Sequence, residues 1–137
     1  MSNLETVKAI YEALGKGDIE LIMSQLSENP VWDEWTTENS AQQADVPWLR
    51  KQIGREAVAD FFQIVKTLEI YQFDVLSLME GVNQVASEVK IGSKYFVDEV
   101  IHLWTFDDEG KVARFRHYVD TAKHIAATEK AKSSTAA

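Results

Sequence analysis

Three side chains able to move a proton near neutral pH stand in apolar company in this sequence: Glu34 in "VWDEW", His102 in "VIHLW" and His117 in "RFRHYV". Carboxyl and imidazole groups are the common general acids and bases, and apolar surroundings desolvate their charged forms, which tunes them for proton transfer. "VWDEW" reads as strand, where side chains alternate, so Trp32 and Glu34 share one face while Asp33 and Trp35 share the other. Glu34 beside an indole is then either a base in a dry pocket or an acid at a wet rim. His102 shares a face with Asp98, Val100 and Trp104, opposite Glu99, Ile101 and Leu103; both faces carry apolar residues, so the period alone does not choose the inner one. In "RFRHYVD", Phe115, His117 and Val119 lie together, opposite Arg114, Arg116, Tyr118 and Asp120. If these strands are neighbours, Glu34, His102 and His117 form a proton-handling cluster walled by Trp32, Trp104 and Phe115, which could grip a ring-bearing carbonyl compound. The alternative is structural: histidines that bond one another or a buried water.

The elements that must position these residues follow from periodicity. Ser2 and Glu5 make a capping box, and Leu4, Val7, Ile10, Tyr11 and Leu14 recur at helical spacing up to a Gly-Lys-Gly turn. Asp18 caps a short second helix, which "SENP" ends. A strand is expected over 31–36, an exposed loop over 37–45, and a helix from Arg55 to Leu68 with Val58, Phe61, Phe62 and Val65 on its buried face. Trp48 is placed as a possible lid over a pocket, and Phe62 as core beside it. Four strands follow, over 70–79, 85–91, 95–106 and 112–120, joined by the turns "EGVNQ", "GSK" and "DDEGK". The order predicts an α+β domain of residues 1–125 with helices over one face of a curved antiparallel sheet, and a frayed tail over 126–137.

Composition narrows the function. The chain has 137 residues, 45% hydrophobic and 10% aromatic, with a net charge of −8, enough to bury a core in one domain. The acidic balance and only four arginines argue against nucleic acid and against acidic membranes, and no apolar run approaches a bilayer span. The start "MSNLETVKAIYE" lacks the pattern of a signal peptide, and the absence of cysteine excludes disulfides and thiolate chemistry; together these lead us to expect a cytoplasmic protein. His102, His117 and His124 show no ligand-type spacing with carboxylates, so neither a metal nor another cofactor is expected.

Three stretches carry a resemblance. "ALGKGDIELIMSQLSENPVW", "IGREAVADFF" and "HLWTFDDEGKVARFRHYVD" occur in the order seen in the nuclear transport factor 2-like superfamily, which includes SnoaL-like polyketide cyclases and ketosteroid isomerases. The resemblance spans about residues 4–122. It implies a cone whose N-terminal helices pack on the concave face of the sheet and enclose a pocket, frequently in a homodimer through the outer sheet face, where Ile101 and Leu103 lie. Counted along the shared motifs, the isomerase general base falls at Glu34 and its protonated aspartate at His102, facing inward. The oxyanion tyrosine falls at Ile10, with Tyr11 one place on and rotated by about 100°, so that donor is expected to be missing. Asp120 resembles the closing aspartate, which borders the pocket or ties down the chain end. The resemblance therefore implies cofactor-free acid-base chemistry (isomerase, cyclase or lyase) on a hydrophobic ring-bearing or polyketide-like ligand. A non-catalytic binder of such a molecule and a dimeric interaction module are the alternatives.

Overall fold

The computed structural model describes residues 1–136, with side chains described through Ser133. Helix α1 (Asn3–Lys16) is capped by the Ser2 hydroxyl, which accepts from the Glu5 amide, and ends at Gly17 in the left-handed conformation that favours glycine. Helix α2 (Ile19–Ser24) is capped by Asp18 as expected. Helix α4 (Arg55–Lys66) buries Val58, Phe61 and Phe62, the apolar stripe legible in its sequence. Between them the polar segment is less open than its composition suggests. A short helix α3 (Ser40–Gln43), capped by Asn39, and a 3₁₀ turn (Pro47–Leu49) fold it onto the body and bury Ala41, Val46, Trp48 and Leu49.

Six strands form one curved sheet in the order β2-β1-β6-β5-β4-β3. The four long ones, β3 (Ile70–Glu80), β4 (Gln84–Ser93), β5 (Val97–Phe106) and β6 (Val112–Tyr118), are consecutive and antiparallel. Strand β1 (Leu26–Trp32) runs parallel to β6 and antiparallel to the two-residue β2 (Gln52–Ile53), so the sheet is mixed. Here the sequence reading needs correction. The first strand does not begin after "SENP" but contains it, and it stops at Trp32 instead of Thr36. Pro30 has no amide to give a ladder, and the β1–β6 register shifts between Leu26 and Val31, which lets the strand carry it.

Register fixes which side chains meet inside. Ser87, His102 and His117 are cross-strand partners in one row; Val85, Trp104, Phe115 and Trp32 form the next. The helices pack over this face, and the core joins Val7, Ile10 and Ile22 to Trp32, Phe61, Phe62, Trp104 and Phe115. The chain end also differs from expectation. Helix α5 (Thr121–Ala136) passes through the boundary placed at 126, and Ala127 and Thr128 are buried. No described helix is long and apolar enough to cross a membrane.

One buried chain ties three parts of this architecture together. The Trp48 indole N–H donates to His124 Nδ1 at 2.8 Å, and His124 Nε2 lies 2.8 Å from Asp98 Oδ2, linking the covering segment, α5 and β5. An indole nitrogen only donates, so Nδ1 must accept and the ring proton sits on Nε2, toward Asp98. Burial holds the His124 ring below its ordinary pKa despite the Asp98 carboxylate. The unfolded chain therefore takes up a proton at a higher pH than the folded one. The contribution of this ring to stability is complete above about pH 6.5 and is lost as pH falls toward the folded value. We expect urea denaturation to show lower stability at pH 5 than at pH 7.5. His124→Gln, which keeps an acceptor and a donor but cannot titrate, should show a shallower pH dependence, with a cost of about 1–3 kcal/mol at neutral pH.

Candidate active site

The sheet and helices enclose a cavity of about 750 Å³ lined mainly by apolar and aromatic side chains. Its exposed lining residues, among them Glu12, Gly15, Lys66 and Tyr71, place the mouth between the ends of α1 and α4 and the start of β3. Trp48, Phe96 and His124 lie at the buried end. Trp48, expected at the pocket, lines the cavity; it is 6% exposed and stacks on Phe96 with ring centroids 6.0 Å apart.

The acid that joins a cavity histidine is a different one from that expected. Glu34 does not line the cavity; its side chain is 48% exposed, with Lys51 Nζ 3.6 Å from Oε2. Asp33 is buried instead, 2% exposed. The alternation of a strand assumes that the strand continues, and this one ends at Trp32. Asp33 adopts φ 53°, in the left-handed region that aspartate tolerates better than most residues, and the turn swings its side chain inward behind Trp32. Its amide still donates to the Phe115 carbonyl at 2.8 Å. The turn is held from outside by Gln42 Nε2, which donates to the Asp33 carbonyl at 2.8 Å, and by Arg116 Nε, which donates to the Glu34 carbonyl at 2.9 Å.

The inward carboxylate meets His117 twice. Oδ1 accepts the His117 backbone amide at 2.8 Å, and Oδ2 lies 2.7 Å from Nδ1. A carboxylate accepts, so Nδ1 donates to it, and Nε2 has no protein partner among the described hydrogen bonds. The His117 ring lines the cavity. The two histidines are brought together as the register requires, with ring centroids 5.2 Å apart and planes nearly perpendicular. His102 faces inward, as its family count implies, and is 5% exposed. Burial, with the nearby His117 ring adding to it, holds His102 well below its ordinary pKa, so it is neutral at pH 7.

The hydroxyl thought to be missing is present. Tyr11 projects into the cavity wall, and its Oη lies 2.7 Å from His102 Nδ1, contacts Ser87 Oγ and accepts the Trp104 indole N–H at 3.1 Å. Burial raises the Tyr11 pKa further above its ordinary value, so the phenol stays protonated and can donate. Counting along a motif put Ile10 at this place, but both residues are used. Ile10 is core, while the long Tyr11 side chain spans to β4 and β5.

Of the other expected pocket residues, Trp32, Phe62, Trp104, Phe115 and Val119 all line the cavity. Asp120 does not: it is exposed, and its carbonyl accepts the Lys123 and His124 amides at the start of α5, the chain-end role. Sequence reasoning missed Asp33, Tyr11, Ser87 and the Asp98–His124 pair. No group of three or more His, Asp or Glu side chains among the described residues is gathered closely enough to hold a metal ion.

Comparison with known structures gives the same architecture. A protein of unknown function from Burkholderia pseudomallei, described as NTF2-like, matches with a TM-score of 0.72 and 21% identity, covering 91% of this chain and 96% of its own. TerC, co-crystallized with polyporic acid, matches with a TM-score of 0.71 and 20% identity over 92% of this chain and 98% of its own. A candidate polyketide cyclase from Sinorhizobium meliloti matches with a TM-score of 0.65 and 13% identity over 82% and 93%. At these identities the likeness is one of fold. No curated protein sequence matches the chain. The sequence profile of the SnoaL-like domain matches residues 7–115, most of the chain, and on that ground the protein belongs to the SnoaL-like family within the NTF2-like fold.

Proposed function

We propose that this protein is a cofactor-independent enzyme in which the Asp33–His117 pair moves a proton on an apolar, ring-bearing carbonyl compound held in the cavity. The observation that carries the reading is an imidazole lining a largely apolar cavity with its Nδ1 committed to a buried carboxylate, which leaves Nε2 as the nitrogen free to act. The arrangement suits a general base, with one ring nitrogen oriented by an acid and the other left toward the cavity.

The steps follow from the protonation states. His117 Nε2 takes a proton from the carbon next to the substrate carbonyl, and the C–H electron pair moves to the carbonyl oxygen as an enolate. The imidazolium so formed lies against the Asp33 carboxylate, 2.7 Å from Nδ1, which balances its charge without taking the proton. His102 is a weak base, because burial holds its ring well below the ordinary imidazole pKa. The Tyr11 hydroxyl is the donor best suited to the developing oxyanion. Return of the proton to a different carbon completes an isomerisation; attack of the enolate on a second carbonyl of the same molecule forms a carbon–carbon bond and an alkoxide, which takes the proton back from His117 Nε2 to complete a cyclisation. Trp32, Trp104 and Phe115, mutually stacked or edge-on at 4.5–6.2 Å between centroids, supply ring-binding walls.

Exchange of α-hydrogens for deuterium in a bicyclic ketone such as 2-tetralone, followed by proton NMR, tests this without knowledge of the natural substrate. His117→Gln and Asp33→Asn should slow catalysed exchange by about 10²–10⁴-fold, while ketone-induced thermal stabilisation persists. Asparagine tolerates the left-handed conformation at position 33, so the fold should survive. Glu34→Gln should exchange at the wild-type rate. Full exchange in His117→Gln would remove the base from the mechanism, and stabilisation with no exchange in the wild type would favour a binding protein. Tyr11→Phe should lower the exchange rate by roughly 10–10³-fold if its hydroxyl meets the oxyanion.

A further inference from the structure

Two buried Asp–His pairs each put an imidazole into the cavity lining: Asp33–His117 at the β1–β6 junction and Asp98–His124 between β5 and α5. Only the first enters the reading above. The second has no nitrogen left for a ligand, because Nδ1 accepts the Trp48 indole N–H and Nε2 faces Asp98. Its role follows from what it holds. Trp48 and Leu49 belong to the 3₁₀ turn of the covering segment, and the Leu49 carbonyl accepts from Gln42 Nε2 at 3.2 Å. The same nitrogen donates to the Asp33 carbonyl at 2.8 Å, on the left-handed turn that brings the Asp33 carboxylate to His117. The two pairs are thus joined by one unbroken path, Asp98–His124–Trp48–Leu49–Gln42–Asp33–His117, in which every link is a hydrogen bond or a peptide bond.

One end of this path has two states, which a coupling between distant sites requires. With His124 neutral, Nδ1 is an acceptor and matches an indole that can only donate. The ring's own proton lies on Nε2, so a second proton enters at Nδ1 and sets one N–H against another across the 2.8 Å contact. Trp48 then loses its partner. The charged groups about the ring are Asp98 on β5, Asp120 and Lys123 at the start of α5, and His117 on β6; Trp48 and Phe96, which pack on it, are neutral. Asp98 accepts from the Glu99 and Asp120 amides as well and stays beside the imidazolium, so the strain of protonation falls on the Trp48 side.

We propose that His124 regulates the Asp33–His117 pair: a proton on Nδ1 releases Trp48, the 3₁₀ turn withdraws, and Gln42, losing Leu49, no longer holds the turn that aims Asp33 at His117. Gln42 is the positioning residue of this path. As control of catalysis the proposal rests on the reading above; as a coupling between two histidines it does not.

NMR of the ¹⁵N-labelled protein between pH 7.5 and 5, without a substrate, tests it. The Trp48 indole signal should move together with the His124 ring, at a midpoint below about pH 6.5. The Asp33 amide and the His117 ring should show an inflection at that same midpoint. Hydrogen exchange of the Val46 and Leu49 amides, which bond within the covering segment, should speed by roughly 3–10-fold across the transition after correction for its intrinsic pH dependence. In Gln42→Met, Trp48 should still follow His124 while the inflection at Asp33 and His117 vanishes; Gln42→Leu serves if the methionine variant folds poorly. An inflection that survives removal of Gln42 would mean that His124 acts on His117 directly through space, and would overturn the proposal. So would an unmoved Trp48 signal, or a His124 ring that stays neutral until the protein unfolds. Coupling without exchange of 2-tetralone hydrogens would remove the catalytic reading alone, and exchange without coupling would remove this one alone.

Discussion

The junction between β1 and β6 is held by one buried carboxylate accepting from a histidine backbone and lying against the same residue's ring. Asp33 closes the end of a strand pair and orients the His117 ring from behind the cavity wall with the same two oxygens. A buried carboxylate is costly unless its lone pairs are used, and here a backbone amide and an imidazole use them. The left-handed turn that presents it would be a local cost on its own, and Gln42 and Arg116 hold the adjoining carbonyls in place. The covering segment 37–51 therefore supports the acid through Gln42 and contributes Trp48 to the cavity lining.

The cavity separates its titratable groups by environment. Two of the three histidines have pKa values depressed by burial, each through a different arrangement of partners: His124 is locked between an indole donor and a carboxylate, and His102 sits against a phenol with one nitrogen unmet. His117 alone combines a committed Nδ1 with a place in the cavity wall and no second protein partner among the described hydrogen bonds. Chemically similar rings thus sit in different environments, two of them kept neutral by burial.

Much of the fold was legible because it depends on local pattern. The capping box at Ser2, the Asp18 cap, the apolar stripe of α4 and the alternation of β4 to β6 each follow from spacing, and the pairing of His102 with His117 follows from a hairpin turn between adjacent strands. The departures arise where the backbone leaves the regular pattern or where distant residues decide. Strand alternation was extended past Trp32, where the chain had already turned, so the inward acid was assigned one residue late; a motif count on α1 was likewise one residue early, at Ile10 in place of Tyr11. The buried role of 37–48 was hidden because a polar segment can fold inward on caps and a few apolar anchors, a choice made by its neighbours.

By itself the sequence determined helices α1, α2 and α4, the four-strand meander and the apolar face of β6, since these are consequences of period and turn chemistry. Only the tertiary structure decided that Asp33 rather than Glu34 joins the histidines, that Tyr11 reaches Ser87, His102 and Trp104, and that Trp32 is left without a partner. Those are outcomes of one backbone angle and of contacts between residues far apart in the chain, and neither leaves a trace in spacing along it.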